Sequence, residues 1–173
     1  MSVEAIRRAI RDIPDFPVKG ILFKDITPVL GDAALFRAAV DLFAARHAGS
    51  RVDVVAAIEA RGFLFGAAVA CRLGTGVVPI RKKGKLPYKT VEASYELEYG
   101  SATLQMHVDA IARGARVLVM DDLLATGGTA SAGAGMIRDA GGEIVEIDFL
   151  VELAFLKGRE RLAGWPVFAP IVF

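Results

Sequence analysis

Four short, mostly apolar runs, separated by stretches with helical spacing, constrain this chain more than any other feature. Val52–Ile58 (VDVVAAI), Val77–Ile80, Arg116–Met120 (RVLVM) and Ile144–Val151 read as strands, whereas Gly62–Leu73 and Thr129–Ala140 read as helices. Gly141 is placed to end the second of these helices. Upstream, Asp32 is placed to cap a helix whose face carries Leu35, Phe36, Ala39, Val40 and Phe43. Strands that are apolar on both faces must be covered on both faces, so the expected fold is α/β, a parallel sheet flanked by helices. Ligands of such sheets bind beyond the carboxyl ends of the strands, and chemistry is sought there.

The chain's 173 residues suit one domain with a proper core, and 54% hydrophobic with 24% charged residues excludes wholesale disorder. Twenty-one basic and twenty acidic residues nearly cancel, which argues against a duplex-binding protein. The longest uncharged stretch, Leu123–Ile137, is too short and too rich in Gly, Ala and Thr to span a bilayer. Ile6, Ile10 and Ile13 suit an amphipathic N-terminal helix, and Glu4 and Asp12 count against a targeting presequence. Cys71, the only cysteine, excludes an internal disulfide and reads as a packing residue. A cytoplasmic protein without nucleic-acid or membrane partners is expected.

The segment Arg81–His107 breaks the alternation. Tyr95, Leu97 and Tyr99 alternate with Glu96 and Glu98, and Ala102, Leu104 and Met106 alternate with Thr103 and Gln105. A period of two on either side of Gly100 predicts an antiparallel hairpin turning near Tyr99–Gly100, a candidate flexible lid over roughly residues 81–107. Residues 153–173 show no clear period, and with residues 1–30 they are expected to form a small hood.

Val117–Thr129 (VLVMDDLLATGGT) carries the strongest chemical signal. A buried strand meets Asp121 and Asp122, then the turn Ala125-Thr126-Gly127-Gly128-Thr129, then a helix. Two glycines let backbone amides approach a ligand, two threonines add hydroxyl donors, and the helix start adds partial positive charge; together they suit a phosphate monoester. The two aspartates are placed to accept hydrogen bonds from sugar hydroxyls. A strand end with solvated acids and an ordinary Gly-rich turn would look the same. No GxxxxGK[ST] or GxGxxG motif supports an NTPase or a dinucleotide enzyme. Ser94 and Ser131 lack a recognisable His/Asp partner, and His47 and His107 have no Cys or acidic neighbours at metal-ligand spacing.

This segment resembles the phosphoribosyl pyrophosphate motif of type I phosphoribosyltransferases, and its form D-D-L-L-A-T-G-G-T looks most like the adenine phosphoribosyltransferases. Ile13–Pro17, Gly20–Leu30, Ala60–Gly66, Ile80–Pro87 and Ala93–Gly100 resemble further family motifs in the same order. The resemblance implies adenine plus 5-phosphoribosyl 1-pyrophosphate going to AMP plus pyrophosphate, in purine salvage, on a homodimer with Mg²⁺ held mainly by the substrate. It places the 5′-phosphate on Ala125, Thr126, Gly127, Gly128 and Thr129, and the ribose on Asp121 and Asp122. Pyrophosphate falls to Arg61, with a strained non-proline cis peptide often present in that loop, and to Arg81, Lys82 and Lys85, partly across the dimer interface. Adenine falls to Leu22, Phe23 and Lys24, where the family more often has Arg at the last position. Glu98 is the implied catalytic carboxylate, and Tyr99 belongs to the lid. Ala125 stands where 6-oxopurine enzymes carry an acid, which favours adenine. Xanthine enzymes with D-D-F-L-A-N-G are the nearest rival, and a non-catalytic sensor of the same ligand is the rival of another class. Such a sensor would be expected to lose Arg61 or Glu98. Without the resemblance, Arg61, the basic run, Phe23 and Glu98 read as surface charges and a core aromatic.

Overall fold

The computed structural model describes residues 2–96 and 101–173. In chain order the elements are α1 (Val3–Ala9), β1 (Arg11–Pro14), β2 (Leu22–Asp25), α2 (Thr27–Gly31), α3 (Ala33–His47), β3 (Val54–Ile58) and α4 (Gly62–Leu73). There follow β4 (Gly76–Lys82), β5 (Thr90–Glu96), β6 (Ser101–His107), β7 (Arg116–Leu124), α5 (Gly128–Asp139) and β8 (Glu143–Glu152). Two 3₁₀ turns (Ala154–Leu156 and Gly158–Leu162), β9 (Val167–Phe168) and β10 (Ile171–Val172) complete the chain.

β8, β7, β3 and β4 lie side by side and parallel, so all four apolar runs form one sheet. Period-two alternation sends successive side chains of each strand to opposite faces. Val55, Leu118 and Met120 join one buried cluster with Phe43 of α3 and Phe65 and Val69 of α4. Ala56, Ile58, Val117 and Val119 join another with Ala130, Ala134 and Ile137 of α5. Asp32 caps α3 as expected, its Oδ1 accepting from the backbone N–H of Ala34 and Leu35 at 2.8 and 2.9 Å.

Three elements differ from the sequence reading. Ile13 lies in β1, not in the N-terminal helix, which ends at Ala9; Ile6 and Ile10 alone of the three are buried. Cys71 is exposed, because the buried stripe of α4 runs through Phe65, Gly66, Val69 and Ala70 and Cys71 lies a further step around the helix. β6 pairs with β4 as well as with β5, and Leu104 and Met106 enter the core, so the base of the hairpin is continuous with the sheet. The expected turn, including Glu98 and Tyr99, lies outside the described residues. The C-terminal residues place β9 and β10 along β8, and Phe173 lies under the Lys24 ammonium, 3.9 Å from the ring centroid.

His47 does have acidic companions, but they come from β8, about a hundred residues away in sequence. His47 Nε2 lies 2.8 Å from Asp148 Oδ2, Glu146 is held by Arg46, and Asp148 is fully buried with Oδ1 lacking a partner among the described residues. Burial pushes the Asp148 carboxyl up to about 6 against the pull of His47. A carboxyl that holds its proton more tightly when folded adds stability that is full below its unfolded value and is lost as pH rises to about 6. Thermal unfolding should therefore show wild type losing about 2 kcal/mol relative to Asp148→Asn between pH 4 and pH 7. A pH-independent difference between the two proteins would remove Asp148 as the source.

Candidate active site

The carboxyl ends of β3, β4 and β7 bring the chemical residues to one rim of the sheet. β7 runs on through both aspartates to Leu124, further than its apolar run alone indicates, because Asp122 and Leu124 still face buried surroundings. Asp121 Oδ1 accepts from the Asp122 backbone N–H at 2.8 Å. Gly62 opens α4 directly against this strand; a Cβ there would meet Met120 O at 2.8 Å and Asp121 Oδ1 at 2.9 Å. Close approach of α4 to β7 thus sets Arg61 beside the acids. Arg61 Nε lies 2.8 Å from Asp122 Oδ2. The pairing is one of charge: that oxygen is buried and lacks a well-aligned hydrogen bond.

Burial, reinforced by the neighbouring Asp122 charge, holds the Asp121 carboxyl well above the usual carboxylate range. Burial also raises Asp122, and the Arg61 guanidinium opposes that rise. The pair is poised to accept hydrogen bonds from hydroxyl groups or to face a cation, either of which would offset the cost of ionising two adjacent carboxyls at this rim.

Beyond β7, Ala125–Thr129 turns into α5. Gly127 has φ +80°, which favours glycine, and residues 121 and 123–130 line a concavity of about 70 Å³ with Phe149. The loop is braced from behind. A Cβ at Gly127 would run into the carbonyl oxygen of Gly158, and a Cβ at Gly158 would run into that of Ala125 and meet Leu124 Cδ1 at 2.8 Å. Two backbones packed this tightly admit no side chain on either glycine.

The peptide Glu59–Ala60, between β3 and Arg61, is cis. Glu59 turns toward β4: Arg81 Nε and Nη2 donate to its carboxylate at 3.2 Å each, and the Lys82 N–H donates at 3.1 Å. These bonds, the Arg81 side chain foremost, hold the Glu59 carboxyl below its ordinary range. Arg81 Nη1 also donates to Lys85 O at 2.9 Å, which fixes the basic turn. Lys82 and Lys85 are exposed.

Phe23 and Lys24 point in opposite directions from β2. The Phe23 ring faces Arg61, whose Cζ lies 5.3 Å from its centroid, and packs edge-on against Phe16 at 5.1 Å. Lys24 is buried, its ammonium 2.6 Å from Asp12 Oδ1 and over the Phe173 ring. Leu22 is exposed. A ligand beside Phe23 would therefore meet the main chain at position 24, not its side chain.

The model of the phosphoribosyl transferase domain matches residues 31–165. The adenine phosphoribosyltransferase of Syntrophotalea carbinolica is 56% identical over 171 residues, covering 99% of this chain and 100% of that protein. The chain belongs to the adenine phosphoribosyltransferase family. Among solved members, the crystal structure from Thermoanaerobacter pseudethanolicus superposes with a TM-score of 0.97 at 52% identity, covering 99% of this chain and 100% of that one. The Saccharomyces cerevisiae enzyme, complexed with adenine and an imino-altritol bisphosphate, gives 0.94 at 38% identity with 98% of both chains covered.

Within the family framework, the structure brings Asp121, Asp122, Arg61 and the 125–129 loop together, with Phe23 on the far side of Arg61. Arg81, Lys82 and Lys85 lie on the β4 side, anchored through Glu59. Sequence reasoning missed Glu59, whose anchoring role depends on the pairing of β3 with β4. It also missed the Gly158–Leu162 turn, whose Gly-Arg-Glu-Arg string carries no periodicity to flag it.

Proposed function

We propose that this chain transfers the phosphoribosyl group of 5-phosphoribosyl 1-pyrophosphate to N9 of adenine, releasing AMP and pyrophosphate and serving purine salvage. The β7–α5 junction carries the reading: the buried Asp122 and the half-buried Asp121 stand shortly before a neutral, glycine-rich turn braced from behind. Amides and hydroxyls of Ala125–Thr129 hold the 5′-phosphate, and Asp121 and Asp122 accept from the ribose hydroxyls. Arg61, Arg81, Lys82 and Lys85 hold pyrophosphate. Phe23 stacks on adenine while backbone groups at Leu22 and Lys24 read its edge, and Ala125 leaves no acid to meet a 6-oxopurine. The adenine bound to the yeast relative supports this choice of base.

In the reaction the C1–oxygen bond loosens first and its electron pair leaves with pyrophosphate. The anomeric centre takes on oxocarbenium character, as in glycoside cleavage. N9 attacks from the opposite face, with inversion, and Glu98 accepts the N9 proton or stabilises the cation. Such a centre is open to capture by water, so the part of the hairpin beyond the sheet, around Val91–Thr103, acts as a lid that closes first.

Mg²⁺, held mainly by the substrate, is the proposed cofactor. Asp122 Oδ2, which Arg61 Nε approaches to 2.8 Å without an aligned hydrogen bond, and the adjoining Asp121 carboxyl lie where they would face a hard cation whose ligands are mainly substrate oxygens. When bound, it neutralises charge on the departing pyrophosphate. The assembly is proposed to be a cytoplasmic homodimer, with the basic turn of Arg81, exposed Lys82 and exposed Lys85 acting partly across the interface. No helix among the described residues is long and apolar enough to cross a membrane.

Pyrophosphate release with adenine, hypoxanthine, guanine, xanthine and uracil supplied separately tests the assignment. Adenine is expected to be strongly preferred; a preference for hypoxanthine or xanthine would refute it.

A further inference from the structure

The loop Ala125–Thr129 contains no charged side chain, and the acids nearest it, Asp121 and Asp122, would repel a phosphate dianion. The basic residues on the β3 and β4 side lie across the sheet, and Arg61 is already paired with Asp122. Loop amides, hydroxyls and the helix start receive the phosphate, and any side-chain cation that adds to them comes from another element.

The Gly158–Leu162 turn supplies one. Its backbone interlocks with the loop through Gly158 and Gly127, which fixes where the following residues sit. Arg161 Cβ lies 3.3 Å from the position a Cβ would take at Gly127, and Arg161 Nη1 lies 3.3 Å from the corresponding position at Gly128, the first residue of α5. The side chain thus runs along the loop from one glycine to the next, ending in a groove shared with Ser94, Tyr95, Glu96 and Ser131 that adjoins the loop's own concavity at Gly128. Its neighbour Arg159 is consumed internally, donating to Glu152 and to Val167 O. Arg161 makes no ion pair among the described residues and is exposed.

We infer that Arg161 is a substrate-binding residue, the cation of the 5′-phosphate subsite. Its guanidinium donates to the phosphate oxygens from the flank of α5 while the loop amides donate from below. The inference rests on the reading of Ala125–Thr129 as the 5′-phosphate loop. Because Tyr95 and Glu96 border the same groove, the arginine also stands where the hairpin meets the occupied loop.

Calorimetric titration of wild type, Arg161→Gln and Arg161→Lys with ribose 5-phosphate and, separately, with pyrophosphate and Mg²⁺ tests the inference. Removing a charge-assisted pair should weaken ribose 5-phosphate binding about tenfold or more in Arg161→Gln, with Arg161→Lys in between. Pyrophosphate binding should stay within about twofold in both variants, since its subsite keeps all of its groups. Unchanged ribose 5-phosphate affinity in Arg161→Gln would overturn the inference and leave the proposed reaction standing. Equal weakening toward pyrophosphate would also overturn it, by showing a general disturbance of the site. Wild type that binds neither ligand would refute the inference and the proposed reaction together.

Discussion

Replacing Gly158 by alanine is expected to reduce kcat/KM for 5-phosphoribosyl 1-pyrophosphate by about a hundredfold or more, although Gly158 lies outside the 125–129 loop itself. A methyl group there has no free space: it would run into the carbonyl oxygen of Ala125 and meet Leu124 Cδ1 at 2.8 Å. Backbone oxygens do not rotate away as a side-chain tip would, so the loop must move as a unit. A shift of about 1 Å in a substrate-positioning group costs roughly two orders of magnitude in rate. The same overpacking should cost about 1–3 kcal/mol in stability. Steady-state kinetics and thermal unfolding would be measured on the same preparation. Gly135→Ala, in α5 with open space around its Cβ, is the control: it should leave kinetics unaltered and stabilise the helix by up to about 1 kcal/mol. If Gly158→Ala retains wild-type kinetics, the turn does not brace the loop.

The second large effect is expected at Arg61. Its guanidinium serves two charges, the pyrophosphate it is proposed to hold and Asp122, whose Oδ2 lies 2.8 Å away. Arg61→Gln should lower kcat/KM for 5-phosphoribosyl 1-pyrophosphate by roughly ten- to a hundredfold for each charge-assisted hydrogen bond to pyrophosphate that the arginine made. Its KM for adenine should change far less. The variant should also alter the pH dependence. Burial raises the Asp122 carboxyl and Arg61 opposes that, so removing the arginine raises it further. A more weakly acidic Asp122 ionises at higher pH, and the acidic limb of the pH–rate profile should move upward. Kinetics over a pH series reads both effects, and a profile unmoved in Arg61→Gln would show that Asp122 does not titrate in the working enzyme.

The two perturbations explain which parts of the molecule were legible in the sequence. β3, β7 and β8 are buried on both faces along most of their length, so their apolar runs stand out without knowledge of neighbours; β4 is covered on one face only, through Val78 and Ile80, but its run is apolar all the same. The 125–129 turn was legible too, because two glycines after a strand and before a helix carry a local backbone meaning. What the sequence concealed depends on pairings between distant segments. His47 reads as lacking acidic partners, yet β8 delivers Asp148 across a separation of 101 residues. Ile13 fits a helical spacing but pairs with Phe23, because β1 and β2 close an antiparallel ribbon. The side chain at position 24 poses a question of selectivity in sequence; the strand directs it away from Phe23 and toward Asp12. Arg161 gave no signal at all, since its place beside Gly128 follows from the close approach of Gly158 to Gly127 alone.

A crystal structure with AMP bound tests the central claim most directly. The 5′-phosphate should sit against the amides of Ala125–Thr129, with the ribose hydroxyls on Asp121 and Asp122 and the adenine ring on Phe23. Finding that loop vacant and the nucleotide seated elsewhere on the protein would contradict the account.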